Sequence, residues 1–167
     1  MLALKINDVK SFMNQLLIGG TFDSFPMTEA SVTTYNTFSI DGWINRDFFD
    51  TDTQDILARN NIVYSPWKEI KPFCRSIIRG KLLPLHLKII FQFMPEQVAS
   101  VLHKEIYTEA DASIRGFFLN IQYKNQTLLC TTGVSMQSFT MDKSQERLWD
   151  ETVLDFFRQL NVGCEQL

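Results

Sequence analysis

His86 and His103 are the only histidines in the chain, and Cys74, Cys130 and Cys164 the only cysteines. These few residues bound the chemistry available. The cysteines are far apart, with no Cys-x-x-Cys pair to hold zinc or run dithiol exchange. They read as free thiols of a reducing compartment. No Gly-x-Ser-x-Gly, His-Glu-x-x-His, P-loop or Gly-x-Gly-x-x-Gly motif occurs. With seven glycines in all, phosphate-cradling loops have little material. No cofactor and no metal is therefore expected.

Two groups of polar residues remain as candidate binding surfaces. The first lies on an apolar/polar alternation from Leu85 to Phe93, the pattern of a strand with one wet face. Its polar members are His86, Lys88 and Gln92. A second alternation, Phe117 to Tyr123, adds Asn120 and Gln122, and a hairpin return through Lys124-Asn125 brings Thr131 alongside. Such a face can hold a ligand, although the solvated side of an antiparallel sheet has the same composition. Cys130 in the returning run gives the enzymatic alternative: His86 and Lys88 acting with a nearby thiol on a small anionic substrate.

The second group is basic. Lys68, Lys71, Arg75 and Arg79 recur at helical spacing, and with Lys81 they give residues 65–81 five positive charges against Glu69. The net of +4 stands out in a chain of net charge −3. It is the one concentration suited to an anionic ligand, and a solvated helix face is the plainer reading. The overall negative balance argues against nucleic acid as a partner. Asp50-Thr51-Asp52-Thr53-Gln54-Asp55 has the spacing of a calcium loop's opening but lacks its Gly and Glu, so helix capping accounts for it better.

The elements that must carry these residues follow from periodicity. A strand over 2–6 leads to a helix capped by Asn7 or Asp8, with Val9, Phe12, Met13, Leu16 and Leu17 on one face and Gly19-Gly20 at its end. Residues 24–48 read as a meander with a hairpin at Asp41-Gly42. Thr51 and Gln54 read as a capping box for a helix through Arg59. Ser65-Pro66 starts a helix that buries Trp67, Ile70, Phe73, Cys74, Ile77 and Ile78, with Pro72 a conflict in its interior. After the strand at 85–93, Pro95-Glu96 opens a helix with Val98, Val101 and Leu102 inward. The strands at 117–123 and 128–132 follow, then a short one near 137–140. A last helix is capped by Asp142 and Gln145, with Leu148, Trp149, Val153, Phe156, Phe157 and Leu160 inward.

Landmarks recur at an offset of about half the length: Leu4-Lys5-Ile6 with Leu87-Lys88-Ile89, and Trp67 and Glu69 with Trp149 and Glu151. The expected fold is α+β, a mostly antiparallel sheet with helices on one face. It is built as a single domain of residues 1–167 from two pseudo-repeated β-α-β-β-β-α halves, 1–80 and 81–167. At 167 residues, 45% apolar and with fourteen phenylalanines, the chain can bury a core rich in aromatic packing. No signal peptide or membrane-length apolar run is present, so a soluble, cytoplasmic protein is expected.

Thr37-Phe38-Ser39-Ile40-Asp41-Gly42, Phe22-Asp23-Ser24-Phe25 and Trp149-Asp150-Glu151 resemble an uncharacterised bacterial protein family, mainly of Firmicutes, over nearly the whole chain. That resemblance implies no activity. In topology alone, the duplicated layout looks like the saddle of TATA-binding-protein-like domains or a sliding-clamp domain, which bears on fold and not on function. The expectation is a non-catalytic binding or adaptor domain using the open sheet face or the basic helix face. Its partner is a protein or a small anionic ligand, with a homodimer left open and no membrane involved; the alternative is the His86/Lys88/Cys130 enzyme.

Overall fold

The computed structural model describes residues 1–78, 81–103 and 113–167. Among them are seven strands in one sheet: β1 (Ala3–Ile6), β2 (Met27–Thr33), β3 (Thr37–Asp41), β4 (His86–Phe93), β5 (Ile114–Lys124), β6 (Thr127–Met136) and β7 (Cys164–Gln166). Their order is β3-β2-β4-β5-β6-β1-β7, and every neighbouring pair is antiparallel. The helices are α1 (Val9–Leu17), α2 (Thr51–Arg59), α3 (Trp67–Ile77), α4 (Pro95–Leu102) and α5 (Ser144–Gln159). The class is α+β, as expected. No helix among the described residues is long and apolar enough to cross a membrane.

Strict period-2 patterning gives the sheet two unlike faces. Leu87, Ile89, Phe91 and Phe93 of β4 and Phe117, Leu119, Ile121 and Tyr123 of β5 are buried on the inner face. They share one core with Phe12 and Leu16 of α1, Trp67 and Cys74 of α3, and Trp149, Val153 and Phe157 of α5. Phenylalanines dominate the packing. Phe25 meets Phe91 and Phe93 edge-on with centroids 5.2 and 4.9 Å apart, and Phe22 meets Phe25 edge-on at 5.1 Å. These are the arrangements that ring quadrupoles favour.

Local signals explain most boundaries. Asp8 caps α1 by accepting the Ser11 N–H at 2.9 Å. Asn125 and Gln126, both at positive φ, make the tight β5–β6 turn. Other local signals depart from expectation. The β2–β3 hairpin turns at residues 34–36, and Asp41-Gly42 instead ends β3. Gly42 is required there for close approach: a Cβ would lie 1.7 Å from the Met27 carbonyl oxygen. The cap of α2 is Asp50, which accepts the Thr53 N–H at 2.8 Å, one residue before the expected Thr51. Residues 137–140 form no strand, because β6 runs unbroken to Met136.

The strand order does not carry the proposed repeat. β4 lies beside β5, whereas its would-be counterpart β1 lies across the sheet from β2, beside β6 and β7. The two matching tryptophans also hold different things. Trp67 Nε1 donates to the Leu16 carbonyl at 2.7 Å and ties α3 to α1; Trp149 Nε1 donates to the Phe118 carbonyl at 2.8 Å and ties α5 to the sheet. Both are fully buried. A buried indole needs a partner for its N–H wherever it sits, so the resemblance is one of packing chemistry.

Candidate functional site

The outer face of the sheet is assembled by register. Opposite Lys88 on β4 stands Gln122 on β5, and opposite Gln122 stands Leu129 on β6. One rung along, Ile90, Asn120 and Thr131 line up in the same way. These six residues line a shallow depression of about 340 Å³, built from strand residues alone. Asn120 Nδ2 donates to Thr131 Oγ1 at 3.3 Å. Lys88 Nζ reaches Glu29 on β2 at 3.0 Å, so the cation at the rim is paired, with both side chains half in solvent. The floor offers amide and hydroxyl groups between Ile90 and Leu129, with little net charge.

Of the sheet candidates, Lys88, Asn120 and Gln122 are therefore brought together. His86 and Gln92 stand on the same face, towards opposite ends of β4. His86 is exposed between Thr33 and Lys124, and Gln92 lies against Gly116, where a Cβ would come within 2.9 Å of its Nε2. Ile90, Leu129 and Glu29 were not singled out from sequence. The two apolar ones at wet-face positions of their strands are the signal that could have found them.

Cys130 is not brought to His86 and Lys88. It pairs with Ile121 and Leu4 and points to the inner face, through the sheet from the candidates. Burial pushes its thiol well above the ordinary range, away from the thiolate a nucleophile needs. Burial also pushes Cys74 up, to about 11, and raises Cys164. Among the described residues, no group of three or more His, Cys, Asp and Glu is placed to hold a metal ion.

The basic helix face is broken by the packing of α3. Lys71 sits one turn after Trp67 and three residues before Cys74, and all three side chains are turned into the protein; Lys71 is 7% exposed. Its ammonium donates to the Gly19 carbonyl at 2.6 Å and to Asp23 Oδ1. A cation is well placed there, beside the free carbonyls that end α1. Lys68 and Arg75 are exposed; Arg79 lies outside the described residues. Phe73, expected inward, is 61% exposed, because the arc that buries Trp67 and Cys74, and partly buries Ile70, takes in Lys71 instead.

A family model described as a family of unknown function, DUF5721, matches residues 15–165. The chain belongs to this family. The matched span holds both candidate surfaces and every segment on which the resemblance to an uncharacterised family rests, Phe22–Phe25, Thr37–Gly42 and Trp149–Glu151. No curated protein and no solved structure matches the chain. Membership of the family assigns no reaction, ligand or partner.

Proposed function

We propose that the chain is a non-catalytic binding module, an adaptor of cytoplasmic type, that takes its ligand on the outer face of its sheet. The observation behind this reading is the depression where register sets Lys88, Asn120, Gln122 and Thr131 around Ile90 and Leu129. Amide and hydroxyl groups flanked by two aliphatic side chains suit a ligand bearing both polar and apolar groups. The Lys88–Glu29 pair lowers the attraction for a simple anion, and the place of Cys130 on the inner face favours this reading over the enzymatic alternative.

Protein-observed NMR against a fragment set of amides, polyols and carboxylic acids tests the reading. Amide shifts should cluster at Lys88, Asn120, Gln122 and Thr131, and Asn120→Trp, which fills the depression, should abolish them. Fragments that perturb other surfaces and bind the Asn120→Trp protein equally well would overturn it.

A further inference from the structure

Among the described residues a larger concavity lies elsewhere, on the inner side of the sheet near its β3 edge. It is an open groove of about 670 Å³ with Tyr35, Phe38, Ile77, Leu82, Leu83 and Leu85 along its walls. Tyr35 and Leu82 are each more than four-fifths exposed, an apolar display that surface chemistry alone does not explain. Beside it runs β3, a sheet edge. The Gly42 N–H bonds to the Thr28 carbonyl, and the pairing steps from there through Ala30–Ile40 and Val32–Phe38. Antiparallel ladders alternate, so Ile40 and Phe38 turn their main-chain groups to β2 and Thr37, Ser39 and Asp41 turn theirs outward. Among the described residues no main-chain group pairs with that outward row. An edge without proline or lysine is a template for another strand.

Charge completes the description. The segments bordering the groove on its own side of the sheet, residues 33–37, 75–78 and 81–85, carry Arg75 and Lys81 and not one Asp or Glu; Asp41, the carboxylate of β3, stands at the far end of that strand. In a chain of net charge −3 this is a local positive rim around an apolar groove.

We propose that β3 and the groove form a docking site for an extended, acidic peptide segment of a partner protein, added as an eighth strand. The free N–H and C=O groups of Thr37, Ser39 and Asp41 would supply the ladder. Alternate apolar side chains of the peptide would enter the groove beside Phe38, and its carboxylates would face Arg75 and Lys81. Strand addition divides the work in this way, with main-chain bonds holding the peptide and side-chain pockets selecting it. The site is distinct from the outer-face depression and does not depend on it.

The probe is a fluorescein-labelled synthetic peptide of about nine residues alternating Glu with Val and Leu, a length matched to an edge strand and its flanks. Fluorescence anisotropy should show saturable binding that weakens with added salt. The same peptide with Lys for Glu, and one N-methylated at alternate amides, should each lose at least about tenfold in affinity. Arg75→Glu combined with Lys81→Glu should cause a loss of similar size, as should Phe38→Ser, while Asn120→Trp should leave binding unchanged. The proposal is overturned if the glutamate peptide does not bind, or if the lysine or N-methylated peptide binds equally well. It is also overturned if sedimentation shows that β3 is already covered by a second copy of the chain, in a dimer that Ser39→Pro dissociates.

Discussion

Helix α3 and the β4–β5 pair each offered a polar surface, and only one survives folding. On β4 and β5 the polar residues stay together because side chains alternate with a period of two, so that pairing in register sets them side by side on one face, and the tight turn at Asn125-Gln126 fixes the β6 partners of β5 in the same way. On α3 no such constraint exists. A helix presents a continuous cylinder, and the neighbours decide how wide an arc is buried. Here α1 and the loop after it extend that arc over Lys71, whose long side chain carries its charge to the Gly19 carbonyl and Asp23. A polar residue on a paired strand is therefore safer to assign to a face than a polar residue near the border of a helical stripe.

The comparison can be pressed hardest on the buried side of α3. Trp67→Ala removes an indole packed edge-on against Phe91, together with its bond to the Leu16 carbonyl. A loss of about 3–5 kcal/mol is expected in denaturant unfolding. A loss below about 0.5 kcal/mol, the scale of ordinary surface changes, would mean that α3 does not pack as described.

Next comes the residue that separates the two surfaces. Lys71→Met keeps the aliphatic length but strands the Gly19 carbonyl and Asp23. Asp23 keeps about a third of its side chain in solvent, so part of the effect is lost to hydration, and about 1–3 kcal/mol is expected. Adding Asp23→Asn should recover part of that loss, giving a measurable coupling in a double-mutant cycle. Additive effects would return Lys71 to an exposed basic face.

The smallest effect belongs to the sheet. Lys88→Ala breaks only the half-exposed pair with Glu29, and thermal or urea unfolding should change by no more than about 1 kcal/mol. A larger change would make Lys88 a structural residue like Lys71, and the contrast between the two surfaces would disappear.

Much of the fold was legible in local pattern. The alternation at 86–93 and 117–123, the helical stripe of α1 and the position of the β5–β6 turn all follow from side-chain period and turn chemistry, which act over a few residues. Some local signals still misled. Asp41-Gly42 has the composition of a hairpin turn, yet its glycine serves the approach of the Met27 carbonyl, a contact between residues 15 apart in sequence. The run Leu82-Leu83-Pro84-Leu85 carries a sign of the groove: two leucines before a proline with no element to bury them, and a third that stands just outside β4.

The sequence by itself determined the α+β class, the two-faced strands, the aromatic core and the set of polar residues on the outer face. Each depends on periodicity and on the preference of apolar surface for burial. Only the tertiary structure decided that β1 crosses to β6, and that two similar tryptophans do different work. It alone placed Cys130 behind the sheet from His86, put Lys71 inside and left the edge of β3 unpaired among the described residues. Each of these depends on which distant segments meet. That choice is made by the packing of the whole chain, and no window of neighbouring residues contains it.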